Sequence, residues 1–359
     1  MGVGDRRRMR VVVVGATGNV GTSVVSALAR DEQIGSIVGL ARRRPAWQVD
    51  KTGWGVCDIR SGHIRPHLAG ADCVVHLAWQ IQPSRDIEAM RATNVDGTRR
   101  LLEAVVAEGV RSFVYASSIG AYAPGPRGGR VTEDWPARGI SSSFYARHKA
   151  EVEWLLDAFE QEHPEVRVVR LRPGLTFKRE AASGIRRLFA GPLAPTSLAG
   201  RRRIPVLPIP ADLRIQAVHT DDVAEAYRLA VVRTDVRGAF NVAADPVLTA
   251  DDLAEALGAR PVHVPFGLLR AGAALSWRMW LQPTPPGWVD MARAVPMMDT
   301  TRARTVLGWS PTFTSREAFA DLLDGMAEGS GLPTPPLGAD APGRRVGELA
   351  RGPGNASGD

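Results

Sequence analysis

The run RVVVVGATGNVG at residues 10–21 constrains the fold more than any other stretch. Four consecutive valines show no alternation of apolar and polar positions, so a strand built from them has to be covered on both faces. Glycines at 15, 18 and 21 follow at once and lead into a helical pattern over 19–30. A strand that turns this tightly into a helix returns to its sheet by a right-handed crossover, which makes the next strand parallel to the first. Similar short runs recur at 36–40 (SIVGL), 55–57 (GVC), 73–77 (CVVHL), 112–117 (SFVYAS) and 166–172 (VRVVRLR), with room for crossover helices at 94–108 and 142–162. The expectation is an α/β chain with a doubly wound parallel sheet.

Past residue 175 the texture changes. A Pro/Arg-rich stretch (GPLAPTSLAGRRRIPVLPIPADLRI) precedes QAVHTDDVAEAYRLAVV, which starts as a strand and becomes a helix capped near Thr220 or Asp221, and a further strand follows at 238–244. Residues 9–177 and 214–245 are therefore assigned to the sheet domain, and 178–213 and 246–330 to a smaller, mostly helical C-terminal lobe over its ligand edge. Trp277, Trp280, Trp288 and Trp309 in that lobe read as core or cleft wall, because Arg270, Arg278 and Arg293 interrupt any face a bilayer would need. From residue 331 the Pro/Gly/Ala-rich tail is expected to be disordered, and Asn355 in NAS matches a glycosylation acceptor in form only.

Composition narrows the function classes. The 359 residues are 44% hydrophobic and 23% charged, ordinary values for a globular chain. There is no run of about 18 uncharged apolar residues, and MGVGDRRRMR leads directly into the first strand; the expectation is a cytoplasmic protein with no membrane partner. The net charge of +7 comes from scattered residues without a helix-turn-helix, RRM or zinc-finger pattern, so no nucleic-acid partner is expected. The arginine triplets at 6–8 and 201–203 read as a solvated tail and loop. Cys57 and Cys73 have neither the number for a disulfide framework nor the spacing of a zinc site, so they read as buried thiols and no metal is expected.

Gly15, Gly18 and Gly21 stand where a dinucleotide pyrophosphate meets a helix N-terminus, whose free amides and dipole favour negative charge. Their spacing, G-x-x-G-x-x-G, departs from the common G-x-G-x-x-G. At the end of the second strand, GLARRR offers no carboxylate for an adenosine ribose 2′-hydroxyl. Arg42, Arg43 and Arg44 suit a 2′-phosphate instead, which favours NADP(H) over NAD(H). Asp58, after the third strand, can face the adenine edge or cap a turn.

Lysine occurs only at 51, 149 and 178 among 45 lysine and arginine residues. Lys149 follows Tyr145 by four positions, so on a helix the two share a face. A nearby ammonium lowers the pKa of a phenol from about 10, which lets the phenol exchange a proton with an alcohol or carbonyl while hydride moves to or from a nicotinamide.

The motifs VVVGATGNVG, CDIR, VVHLAW, NVDGTRRLLEA, FVYASSIGAY, YARHK, LRPG and VHTDDVAEA, in this order over roughly residues 9–310, resemble the extended short-chain dehydrogenase/reductase family, also called the NAD-dependent epimerase/dehydratase family. The resemblance implies a Rossmann-type sheet, NAD(P) at the glycine turn and a substrate-binding C-terminal lobe. It implies Tyr145 as acid/base, Lys149 as its ribose-binding and pKa-lowering partner, Ser118 as hydrogen-bond donor to the substrate oxygen, and Asn94 as the fourth member of the catalytic set, with Ser117 structural. The cofactor set it implies is Gly15, Thr17, Gly18, Asn19, Val20, Gly21, Arg42, Arg43, Asp58, Ile59, Leu77, Ala78, Tyr145, Lys149 and Pro173, with His76 a wall residue and no base. Family members often dimerise through two helices per subunit, which here are 94–108 and 142–162.

Sugar-nucleotide epimerases of the family commonly carry an asparagine after the sixth strand, where this chain has Arg172-Pro173-Gly174. That departure points toward the family's reductases. Three readings stand: an NADP(H)-dependent reductase or dehydrogenase of a small, partly apolar carbonyl or alcohol, with Trp79 as a flat wall; a nucleotide-sugar epimerase or dehydratase with retained NAD, its diphosphate met by Arg186, Arg187 and Arg201 to Arg203; and a non-catalytic NAD(P)-binding regulator, against which the Tyr/Lys pair argues.

Overall fold

In the computed structural model, residues 7–82, 85–126, 128–190 and 199–339 are described. Seven strands form one parallel sheet: β1 (Met9–Val14), β2 (Ile34–Ala41), β3 (Thr52–Val56), β4 (Cys73–His76), β5 (Ser112–Ala116), β6 (Arg167–Pro173) and β7 (Gly238–Val242). Their spatial order is β7-β6-β5-β4-β1-β2-β3. The order reverses between β1 and β4, and a crevice at the carboxyl ends of strands flanking such a reversal is where open α/β sheets take ligands.

The valine run of β1 is explained by what it touches. Val11 and Val13 face one core, shared with helices α1 (Asn19–Arg30) and α4 (Thr220–Val232); Val12 and Val14 face the other, shared with α2 (Gly97–Ala107) and α3 (Phe144–Glu162). All four are buried, and each contributes on the order of 1.5–3 kcal/mol relative to an exposed side chain. The sheet is thus the middle of three layers, and polar residues on β1 would face apolar neighbours on either side.

The C-terminal residues add α5 (Phe266–Arg278), α6 (Gly287–Ala294) and α7 (Ser315–Glu328). Helix α7 opens with a capping box between Thr314 and Glu317. Four sequence expectations need correction. Trp309 belongs to the main core beside α1 and α4, fully buried, its indole N–H donating to the Asp222 carbonyl at 2.7 Å. The cap of α4 is the His219 ring, which accepts from Asp221 N at 3.2 Å. The helix expected from residue 94 starts as a π-helical turn at Ala92–Asp96. Residues 331–339 are packed: Thr334 and Leu337 are buried, and the Gly338 carbonyl accepts from Ser183 Oγ at 2.9 Å. The rest of the proposed tail, with Asn355, lies outside the described residues. Among the described residues no helix is long and apolar enough to cross a membrane.

Candidate active site

The first turn after β1 has the shape of an anion cradle. Gly15 adopts φ +87°, and a Cβ there would lie 2.5 Å from Ala78 N and 2.8 Å from Leu77 C, so both conformation and close approach exclude a side chain. A Cβ on Gly21 would lie 2.2 Å from the Gly15 carbonyl oxygen. Gly18 differs: it caps α1 without a side-chain hydrogen bond, and its nearest neighbour would be Gly15 O at 3.6 Å. No acidic residue stands in the first turn of α1. The glycines therefore serve two ends, close packing at 15 and 21 and an open amide-lined mouth at 18, and the site fits a pyrophosphate.

Around that mouth, Thr17 is buried and Val20 half-buried. The Asn19 amide donates to Thr176 O at 3.2 Å and its oxygen accepts from Thr220 Oγ1 at 3.2 Å, so this side chain is tied to the far side of the helix. Leu77 and Ala78 follow β4 beside Gly15, and Pro173 ends β6 opposite Val242.

Beyond β2, Arg42, Arg43 and Arg44 are exposed. The Asp58 carboxylate is held by Arg60 at 2.7 Å, and the Arg60 hydrogen bond, with help from the Arg42 charge, keeps its pKa below the ordinary carboxylate value. Asp58 therefore serves its own loop, and Arg60 joins the three arginines. Ile59 is buried, and a Cβ on Gly97 would lie 2.8 Å from it.

Helix α3 is capped by Ser143, whose hydroxyl accepts from Ala146 N. Its inner face presents Tyr145, Lys149 and Glu153 at successive i+4 positions. The Ser118 hydroxyl accepts from Gly120 N at 3.0 Å, and the Tyr145 ring packs on that same Gly120. Lys149 is almost fully buried; its ammonium donates to Ala116 O at 2.6 Å and lies 3.4 Å from the centre of the Trp79 ring and 5.8 Å from that of Tyr145.

These positions correct the expected electrostatics. Burial pushes the Tyr145 phenol up to about 12, with only the Ser118 hydrogen bond pulling it down. Burial also drives Lys149 well below its ordinary value, and the Glu153 charge opposes it. The lysine is engaged by a carbonyl and an indole face and stands further from the phenol ring than from either. Asn94, fully buried in the π-helical turn, gives its amide to Gln80 O at 2.8 Å and accepts from Gln80 N at 2.7 Å. Its side chain fixes the segment carrying Trp79; it does not meet the Tyr145/Lys149 pair. His76 is fully buried, bonded to Thr98 Oγ1 at 2.9 Å, and pushed down to about 3 by burial and then by the Lys149 charge.

Behind the pair lies a network that sequence reasoning missed. Ser117 Oγ donates to Glu153 at 2.5 Å, and Arg172 reaches both Glu153 oxygens at 2.8 and 2.9 Å and the Tyr122 hydroxyl at 3.0 Å. Arg170 adds a second cation at 3.0 Å. Burial raises the Glu153 pKa, but the Arg172 hydrogen bonds and charge, with Arg170, outweigh it and hold it at about 2. Ser117 is therefore structural, and the arginine of LRPG anchors the serine pair from beneath. The signal was available: Glu153 continues the Tyr145/Lys149 spacing by one more step of four.

Apolar rings cover the other side. Trp288, from α6, lies 4.9 Å from the Tyr145 ring, Phe189 stands edge-on to Trp288 at 4.9 Å, and Trp79 stands edge-on to Tyr145 at 5.9 Å. Met291 packs beside them. The indole N–H of Trp79 is buried without a hydrogen-bond partner. Of the arginines considered for a diphosphate, Arg187 donates to Pro336 O and Arg202 faces Asp324 at 3.5 Å, while Arg201 and Arg203 are exposed and Arg186 is buried. Among the described residues no group of three or more His, Cys, Asp or Glu side chains can hold a metal ion.

Comparison with known proteins gives the chain a family and its fold a counterpart among solved structures. The pattern of the NAD dependent epimerase/dehydratase family matches residues 11–243. An uncharacterized protein of Mycobacterium tuberculosis (strain H37Rv) is 27% identical over 315 residues, 87% of this chain and 29% of the relative, so this chain spans less than a third of that protein's length. A second uncharacterized protein of the same strain is 27% identical over 326 residues, 88% of this chain and 83% of the relative. Among solved structures, UDP-glucose 4-epimerase of Thermus thermophilus in complex with NAD superposes with a TM-score of 0.65 at 24% identity, covering 89% of this chain and 99% of that one.

Proposed function

The chain belongs to the NAD-dependent epimerase/dehydratase family, and we propose that it is an NAD(P)(H)-dependent oxidoreductase moving hydride at a carbonyl or alcohol carbon, with Tyr145 as acid/base. The observation that carries this reading is the placement of Tyr145 and Lys149 on one face of α3, packed together beside the Ser118–Gly120 turn. A dinucleotide whose pyrophosphate the Gly15–Gly21 turn would hold would supply the hydride acceptor or donor through its nicotinamide. Ser118 hydrogen-bonds the substrate oxygen, Tyr145 gives that oxygen its proton during reduction or takes it during oxidation, and the Lys149 cation stabilises the phenolate that reduction leaves.

Arg42, Arg43, Arg44 and Arg60 support NADP(H) over NAD(H). Trp79, Trp288, Phe189 and Met291 support an apolar substrate, and the flat rings suit one that is itself cyclic. We further propose a cytoplasmic enzyme without membrane or nucleic-acid partners, and a homodimer in which Trp154, 54% exposed on α3, is covered. Tyr145→Phe should lower kcat by about 10²–10⁴ with NADPH affinity retained; unchanged oxidation of NADPH at 340 nm would remove the acid/base role.

A second reading, nucleotide-sugar epimerase or dehydratase with retained NAD, is supported by the family and by the epimerase whose fold the chain shares. Nucleotide released from the purified protein separates the two. Tightly held NAD with no net absorbance change during turnover favours epimerase chemistry, and empty, NADPH-consuming protein favours reduction.

A further inference from the structure

Lys178 is a buried cation that the chemistry above does not use. It directly follows the strand Leu175–Phe177, 4% exposed, and its ammonium donates to Thr22 Oγ1 at 2.7 Å and Ser23 Oγ at 3.0 Å, both in the first turns of α1. Among the described residues it forms no ion pair; only the charges of Glu180 on its own segment and Asp221 at the start of α4 act on it. A buried cation normally has an anionic partner, and a helix N-terminus is a poor place for one without it, since the dipole there is already positive. Thr22 Oγ1 in turn bonds the Gly18 and Asn19 carbonyls at 3.1 Å each, so the lysine is linked through one hydroxyl to the turn that forms the anion cradle.

We propose that Lys178 is a positioning residue for the dinucleotide: it fixes the first turn of α1 through Thr22 and Ser23 and adds a positive charge behind the amides, whose compensating anion is the bound pyrophosphate. This rests on nucleotide binding at the glycine turn. The residue type agrees with the role. Two of the three lysines in this arginine-rich chain are the buried ones, Lys149 and Lys178, where a compact ammonium fits between acceptors that a planar guanidinium would overrun. The same residue is the last one before the chain enters the lobe that carries Phe189, and its neighbour Arg179 is fixed to Asp321 of α7 at 2.8 Å. The pyrophosphate turn and the substrate lobe are therefore joined at two consecutive residues.

The test measures NADPH and ADP-ribose affinity, by ligand fluorescence and calorimetry, for the full chain and for Lys178→Met, Lys178→Arg, Thr22→Val and the exposed control Lys51→Met. Lys178→Met should weaken both ligands on the order of tenfold, Lys178→Arg should recover part of the loss, and Lys51→Met, which removes the same charge elsewhere, should bind as the parent does. The loss in Lys178→Met should fall on KM for the nucleotide far more than on kcat. Unchanged affinity in Lys178→Met, or equal losses of kcat and affinity that arginine does not restore, would overturn the proposal. Thr22→Val covers the case in which Lys178→Met does not fold: it should weaken both ligands while the melting temperature stays within a few degrees, and unchanged affinity would again overturn it. If the parent protein bound neither ligand, the nucleotide reading itself would fall, a result distinct from the others.

Discussion

Gly15→Ala and Gly18→Ala place the same methyl group three residues apart in the cradle, and the structure assigns them different losses. At Gly15 the methyl requires a left-handed backbone, costing about 1–2 kcal/mol, and meets Ala78 N at 2.5 Å and Leu77 C at 2.8 Å, backbone atoms fixed at the end of a sheet strand. Overpacking of that kind adds roughly 1–3 kcal/mol, for a total of about 2–5 kcal/mol. At Gly18 the backbone is extended, with φ −79° and ψ −178°, and the nearest contact is an ordinary 3.6 Å. Alanine there should cost less than about 1 kcal/mol of stability, but its methyl lies on the open side where a pyrophosphate approaches the amides. Urea unfolding followed by tryptophan fluorescence, paired with NADPH titration, separates the two effects. The expected result is a large drop in unfolding free energy for Gly15→Ala and a loss of affinity of tenfold or more with near-parental stability for Gly18→Ala. Equal destabilisation by the two substitutions, or a Gly15→Ala protein as stable as its parent, would refute the division of labour drawn between these glycines.

Other outcomes follow from the buried charges. Glu153→Gln leaves Arg170 and Arg172 facing a neutral amide and should cost on the order of 3–5 kcal/mol at pH 7, read by urea unfolding. Because the Glu153 carboxyl is held at about 2, below its ordinary 4.5, its stabilisation is complete above pH 4.5 and is lost as pH falls toward 2; the variant should show a flatter acid limb than the parent, and parallel acid limbs would contradict the assignment. Tyr145 and Tyr122 are both pushed up to about 12, so the folded state holds protons that the unfolded chain releases near pH 10. Stability should therefore decline between pH 10 and 12, and absorbance at 295 nm should report late ionisation of these phenols. Ser117→Ala removes one hydrogen bond to a carboxylate and should cost about 1.5–3 kcal/mol by the same unfolding assay.

What was readable in the chain and what was not divides along sequence distance. The sheet was legible because Val11 to Val14 have no polar alternation, and each face of the strand meets its own core. The glycine turn and the Tyr145/Lys149 spacing were legible because they are local. The contacts of Asn94 and Lys149 were not, since both depend on atoms brought in by folding: the Gln80 backbone for one, Ala116 O and the Trp79 face for the other. Lys178 meets Thr22 across 156 residues. Trp309 was placed in the C-terminal lobe because composition cannot tell a tryptophan that covers a cleft from one that completes the main core 87 residues from its acceptor. Glu153 is the intermediate case, local in spacing but hidden among the many charged residues of an amphipathic helix.

The Lys149 ammonium, 3.4 Å above the centre of the Trp79 indole, gives the candidate site a reporter of its own. Because an ammonium stacked on an indole alters its emission, a ligand that changes this contact should change the tryptophan fluorescence, and Trp79→Phe should remove that response.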